Sequence, residues 1–264
     1  MNSEIMSKNR QAVASGMPLI SIITVVKNGE KFIEMTIKSV ISQTYPAIEY
    51  IVIDGDSQDN TLRIVKKYEK HISRWISEPD RSLYDAMNKG LKMAKGKYVW
   101  FMNAGDEIYD KTTLKRIFST DKNADIYYGD TLIVDINKRK IGFFRGHRAP
   151  KDLTWKSFMK GALVCHQSFI IKKALASSFD YLNYPVSADT DWMIKGLKKA
   201  KRIINTQTVL SKFLTGGIST QHEFQTWIEN YKAFKKNFGF FRNIYNHLFM
   251  APNLLAYKLF KKRF

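Results

Sequence analysis

The chain has 264 residues, 44% of them hydrophobic, one cysteine, and a net charge of +19 from 43 basic against 24 acidic residues. That length and apolar content support the core of one large α/β domain or two small ones, and exclude collagen-like, disordered and disulfide-scaffold chains. Cys165 alone makes no intramolecular disulfide, and the polar start Met1–Arg10 lacks the apolar run of a secretory leader. No stretch approaches the roughly 18 uninterrupted apolar residues of a spanning helix, so a cytoplasmic, reducing setting is expected. The basic excess favours anionic partners, among them nucleic acid, anionic lipid and phosphorylated ligands.

Residues 1–17 show no hydrophobic period and read as a loose leader before Pro18. Leu19 to Val26 is β-branched and almost continuously apolar, which predicts a strand buried on both faces of a parallel sheet. Apolar positions at helical spacing predict a helix between Glu30 and Gln43, and a second strand, Tyr50 to Ile53, stops at Asp54-Gly55-Asp56. A helix over Thr61–Tyr68, a short strand over Ile72–Ile76 and a helix around Tyr84–Ala94 follow, with Gly96 ending that helix. Tyr98 to Met102 forms a further strand that runs into Asn103-Ala104-Gly105-Asp106. This alternation predicts an α/β fold with a doubly wound, mostly parallel, Rossmann-like sheet flanked by helices. In the mixed middle, about 107–222, strands are expected at Ile126–Tyr128 and Thr131–Ile136 and a helix at Trp192–Lys199.

Open α/β sheets bind ligands outside the carboxyl ends of their strands, so the carboxylates Asp54 and Asp106 stand at the favoured positions. Either can accept hydrogen bonds from a base or ribose, or ligate a hard cation. Each can also merely start a turn or cap a helix, as Asp56, Ser57 and Asp59 can before Thr61.

The ordered series Ser21 to Asn28, Ile51 to Thr61 and Phe101 to Asp106 resembles the nucleotide-sugar half of the family-2 inverting glycosyltransferases, most of all bacterial enzymes building surface polysaccharides. The resemblance covers roughly residues 18–222. It implies a GT-A fold with a donor half at about 18–106 and an acceptor half at about 107–222, a nucleoside diphosphate sugar as donor, with uridine the favoured base over guanosine and thymidine, and a divalent cation, Mg²⁺ or Mn²⁺. By the same resemblance Val25, Lys27, Asn28, Asp54, Asp56, Asn103 and Ala104 line the donor, with Asp54 on the base. Asp106 matches the last carboxylate of the metal motif, and Asn103 stands where an acid often stands, which leaves one full charge for the cation. Ser77 to Gly90 resembles the stretch before that motif and implies Asp80, Arg81, Asp85 and Asn88 in the donor pocket, with Arg81 on phosphate. Asp85 reads equally as a first-turn helix acid.

Ser187-Ala188-Asp189-Thr190-Asp191-Trp192 resembles the family's acidic pair, which implies Asp189 as the base that deprotonates the acceptor hydroxyl and Asp191 as its support. Both also suit the N-terminus of a helix. Gly161 to Gln167 matches another recurring stretch and implies His166 on the acceptor or diphosphate side. Thr215 to His222 resembles a loop closing over the donor and implies the same side for His222. A non-catalytic nucleotide-sugar-binding protein is the alternative within this reading.

From Tyr231 to Phe264 the chain has eight basic residues, no Asp or Glu, and many aromatics, with Pro252 dividing it. Residues 223–264 are therefore expected to form a basic, amphipathic helical tail on an anionic membrane surface, making the protein peripheral on the cytoplasmic face. A glycan or lipid-linked saccharide acceptor suits that placement by resemblance. Packing on the catalytic domain, an oligomer contact, and single-stranded nucleic-acid binding use the same residue types. Nucleic acid is not the expected partner, because it leaves Asp54, Asp106 and Asp189 without a role.

Overall fold

A computed structural model describes residues 3–216 and 222–245. The first half alternates as expected: β1 (Ile20–Val26), α2 (Ile33–Ile41), β2 (Ile48–Asp54), α3 (Thr61–Lys67), β3 (Arg74–Ser77), α4 (Leu83–Met93) and β4 (Tyr98–Phe101). These are preceded by α1 (Ser3–Ala14). The second half comprises β5 (Glu107–Ile108), α5 (Thr113–Thr120), β6 (Ile126–Val134), β7 (Lys140–Phe143), β8 (Phe169–Lys172), α6 (Ala188–Lys199), β9 (Ile203–Leu214) and α7 (Glu223–Phe238).

All strands join one nine-stranded sheet in the order β3-β2-β1-β4-β8-β6-β9-β5, with β7 beside β6. The four strands β3, β2, β1 and β4 are parallel; β1, β2 and β4 are buried, in keeping with their apolar runs, and the short strand β3 at the edge is half-buried. Beyond β4 the sheet is mixed: β8 is antiparallel to both β4 and β6, whereas β9 runs parallel to β6. Successive side chains of β1 enter opposite cores. Ile23 and Val25 pack with α4, α6 and α7; Ile20, Ile22 and Val26 pack with α2, α3 and α5.

Two expectations are corrected. The supposed loose leader is a helix, because Ser3–Ala14 is rich in good helix formers although it lacks an apolar stripe. It is moored by buried Ala12 and by Asn9 Nδ2, which donates to the Ile48 carbonyl at 2.8 Å. The first four turns of the supposed tail are also no appendage. Helix α7 buries Ala233 and Phe234 in the core and stacks Phe238 on Trp155 at 5.5 Å between ring centres. Residues 246–264, which carry Pro252, lie outside the described residues.

Candidate active site

The loops after β1 and β2 are laced into one bed at the carboxyl edge of the sheet. Asn28 and Asp56 hold left-handed backbone, which short polar side chains tolerate. Asn28 N–H donates to Ser57 Oγ at 2.8 Å, Gln58 N–H returns to Asn28 Oδ1 at 2.9 Å, and Glu30 N–H reaches Asp59 Oδ2 at 3.0 Å. Asp54 is fully buried beneath this bed, accepting from the Ser57 amide at 3.0 Å, the Ser57 hydroxyl at 2.5 Å and the Ser77 hydroxyl at 2.7 Å. It holds the loop rather than facing the cleft. Lys27 and Asp56 are exposed on the bed, whereas Val25 is buried and gives its carbonyl to the Ala104 amide at 3.1 Å.

The stretch from Ser77 to Gly90 divides. Asp80 is buried against Lys89 at 2.5 Å, and its burial raises its carboxyl pKa despite that cation. Gly55 makes room for it: a Cβ there would lie 2.8 Å from Asp80 Oδ2. Arg81 is exposed. Asp85 and Asn88 are half-buried and each bonds within the protein. Asp85 Oδ2 accepts from the Arg81 amide at 3.1 Å while Ser82 caps the helix. The Asn88 side chain bonds both backbone groups of Phe179, at 2.9 and 2.7 Å.

Asp106 follows Gly105, whose φ of +102° turns the chain back after β4, and Thr36 Oγ1 pins that turn through the Gly105 amide and Asp106 carbonyl. The Asp106 carboxylate is buried, accepting from Gln167 Nε2 at 2.8 Å and the Leu214 amide at 3.2 Å. Burial pushes its pKa up to about 6, against the lowering effects of Gln167, His166 and the Leu214 amide. Between pH 4 and 6 the folded protein therefore binds more protons than the unfolded chain, so this group's contribution to stability falls as pH rises through that window. In metal-free urea titrations, the stability of wild type relative to Asp106→Asn should fall by about 2 kcal/mol from pH 4.5 to 7.5. A pH-independent difference would contradict that burial effect.

His166, buried, joins the two halves of the site. Its Nδ1 lies 2.9 Å from Asp189 Oδ2, and its Nε2 lies 3.4 Å from Asn103 Nδ2. The ionised carboxylate only accepts, so Nδ1 carries a proton, and the Asn103 amide as placed leaves Nε2 an acceptor. Asp189 Oδ1 accepts from the Tyr84 hydroxyl at 3.2 Å and the Thr190 amide at 2.9 Å. Its side chain keeps 22% exposure to the cleft. Burial raises its pKa, but His166, Tyr84 and the Thr190 amide outweigh that and hold it below the usual carboxylate range.

Asp191 points elsewhere. It is buried, paired with Lys195 at 2.5 Å and accepting from Asn237 of α7 at 2.8 Å, so it is a strut and not an acceptor-side group. His222 is exposed at the start of α7, and residues 217–221 of the expected closing loop lie outside the described residues. Sequence reasoning missed Gln167, which orients Asp106, and Tyr84, which orients Asp189. It also missed Glu229, which accepts from the Val186 and Ser187 amides at 2.9 and 2.8 Å. Gln167 adjoins His166 in a stretch already singled out; a buried Glu on a basic helix has no such signal.

No group of three or more His, Cys, Asp or Glu able to enclose a metal occurs among the described residues. The donors present are nevertheless hard: the Asp106 carboxylate and Asn103 Oδ1, a buried oxygen without a hydrogen-bond partner. They fit a Mg²⁺- or Mn²⁺-type ion that shares its remaining positions with a ligand's oxygens.

Comparison with known proteins agrees with this architecture. Residues 21–178 match the family described as glycosyl transferase family 2, and the chain belongs to that family. It is 27% identical over 240 residues to TuaG of Bacillus subtilis, a glycosyltransferase named for teichuronic acid biosynthesis, covering 88% of this chain and 91% of that one. It is 26% identical over 215 residues to a Mycobacterium bovis glycosyltransferase of PGL/p-HBAD biosynthesis, covering 78% of each. Among solved structures, Staphylococcus aureus TarS in complex with UDP superposes with TM-score 0.63 at 19% identity, over 89% of this chain and 70% of that one. A Pyrobaculum calidifontis mannosyltransferase with GDP-Man and Mn²⁺ gives TM-score 0.59 at 16% identity, over 96% and 81%. These two establish the GT-A-like fold.

Proposed function

We propose that this chain is an inverting, hexosyl-transferring, cation-dependent enzyme that moves a sugar from a nucleoside diphosphate sugar to a hydroxyl of a surface-glycan acceptor. The observation that carries the reading is the continuous link Asn103–His166–Asp189–Tyr84 beside Asp106, which sets a single proton acceptor next to a single cation carboxylate. UDP is the favoured nucleotide, since TarS binds UDP and UDP-GlcNAc, and a lipid-linked saccharide at the cytoplasmic membrane face is the favoured acceptor.

In this reading Lys27, Asp56 and Arg81 border the nucleotide, and Asp54 acts through Ser57 and Ser77. Asp106, with Asn103, would hold the cation, which when bound supplies positive charge to the leaving diphosphate. Asp189 takes the acceptor proton. Its lowered pKa keeps it ionised at neutral pH, so proton transfer accompanies formation of the new C–O bond rather than preceding it. Transfer to a panel of lipid-linked saccharides from UDP-GlcNAc, with the product's anomeric configuration read by NMR, tests this. Inversion is expected; retention would refute the single-base mechanism.

His166 is the positioning residue for Asp189. Asn at 166 can keep a donor near the Nδ1 position, whereas Gln keeps one near Nε2. His166→Asn should therefore retain kcat about tenfold better than His166→Gln, with the donor KM of both close to wild type. Equal loss in both variants would contradict the role.

A further inference from the structure

We propose that the outward face of α7, continued by helical residues 240–245, docks on an anionic membrane surface and so sets the height of Asp189 above it. The helix has two unlike faces. Inward, Glu229, Ala233 and Asn237 repeat every fourth residue: Glu229 holds the Val186 and Ser187 amides immediately before the α6 N-terminus, and Asn237 holds Asp191. Asp189 lies between those two attachments. Outward, Phe224, Trp227 and Tyr231 follow one another at helical spacing, and Lys235 continues the row toward Phe240.

Large apolar groups on that side stand in solvent: Phe224 is 75% exposed, Trp227 50% and Phe241 86%. Soluble surfaces rarely display such a cluster without a partner. Lys232, Lys235 and Arg242 are exposed beside it, and no Asp or Glu occurs from Tyr231 to the chain end. Aromatics flanked by cations on one helical face match the headgroup layer of anionic lipid, where the rings enter the acyl boundary and the cations meet phosphates. A second protein copy offers no charge complement, because it carries the same basic face. Among the described residues no helix is long and apolar enough to cross a membrane, so attachment through this face would be at the surface.

The lipid-linked acceptor rests on the function proposed above; the docking itself does not. The full chain is mixed with phosphatidylcholine vesicles with and without phosphatidylglycerol, and flotation is measured for wild type, Phe224→Ser/Phe241→Ser and Lys232→Gln/Lys235→Gln. Wild type should float only with the anionic vesicles. The aromatic pair should weaken binding about tenfold, and the lysine pair about fivefold per charge removed, with unchanged melting temperature. Both variants should keep the wild-type thermal shift with UDP and Mn²⁺, so loss of flotation with that shift retained separates docking from donor binding. Wild-type flotation in both variants overturns the proposal. So does a wild-type dimer that Phe241→Ser dissociates, or retention of single-stranded RNA without vesicle binding.

Discussion

Asp189→Asn is expected to lower transfer by about 10²- to 10⁴-fold while donor affinity stays within a few-fold of wild type. The amide has the size of the carboxylate and can occupy the same place. Its oxygen can keep accepting from His166 Nδ1–H while its nitrogen donates to the Tyr84 hydroxyl, so the His166 tautomer is unchanged and Asn103 Oδ1 stays available to the cation. The Tyr84 hydroxyl still donates to the Val186 carbonyl, and only the Thr190 amide loses its side-chain acceptor, a cost confined to the start of α6. What is lost is the group that receives the acceptor proton, and no second carboxylate replaces it, because Asp191 is buried on Lys195 and Asn237. Pre-steady-state donor binding followed by single-turnover transfer separates the two effects. Wild-type turnover in this variant would remove Asp189 from the mechanism.

Asp106→Asn should abolish the response to Mg²⁺ or Mn²⁺ and lower transfer at saturating cation by about a hundredfold or more. The reason is electrostatic. Asp106 is a buried carboxylate whose pKa is pushed up to about 6, so in the cation-free protein its charge is held at a cost that Gln167, His166 and the Leu214 amide offset only in part. A divalent cation held by Asp106 would offset that cost and would supply positive charge for the leaving diphosphate. With Asn103 in place of a second acid, the variant has no carboxylate left at the motif. Activity measured against cation concentration, with and without donor preincubation, checks this, and unchanged cation dependence would move the metal site elsewhere.

The donor half was legible because its strands β1, β2 and β4 are buried and its helices carry apolar stripes, so Ile20–Val26 and Ile48–Asp54 declare themselves by composition. Strand β9 is less plain, since half-buried Ile203–Leu214 mixes polar and apolar residues, and its antiparallel and parallel neighbours come from distant sequence. The motifs located Asp106, His166 and Asp189 but not what each touches. Asp54, Asn88 and Asp191 sit within motif stretches yet spend their side chains on other parts of the protein, and spacing alone does not distinguish inward from outward. Helix α1 was hidden because residues 7–14 bury only Ala12 and leave no periodic trace, and α7 because its basic residues obscured the inward row Glu229, Ala233 and Asn237.

The central claim, a donor site that needs a cation at Asp106, is tested most directly by thermal shift of wild type and Asp106→Asn. The panel is UDP, GDP, dTDP and their sugars, each with and without Mn²⁺. Ligand near a hundred times its Kd should stabilise wild type by about 2.7 kcal/mol, about 5 °C or more for a chain of this size. A Mn²⁺-dependent shift with one nucleotide, absent in Asp106→Asn, is the predicted result. No shift with any nucleotide, or the same shift in the variant, would contradict it.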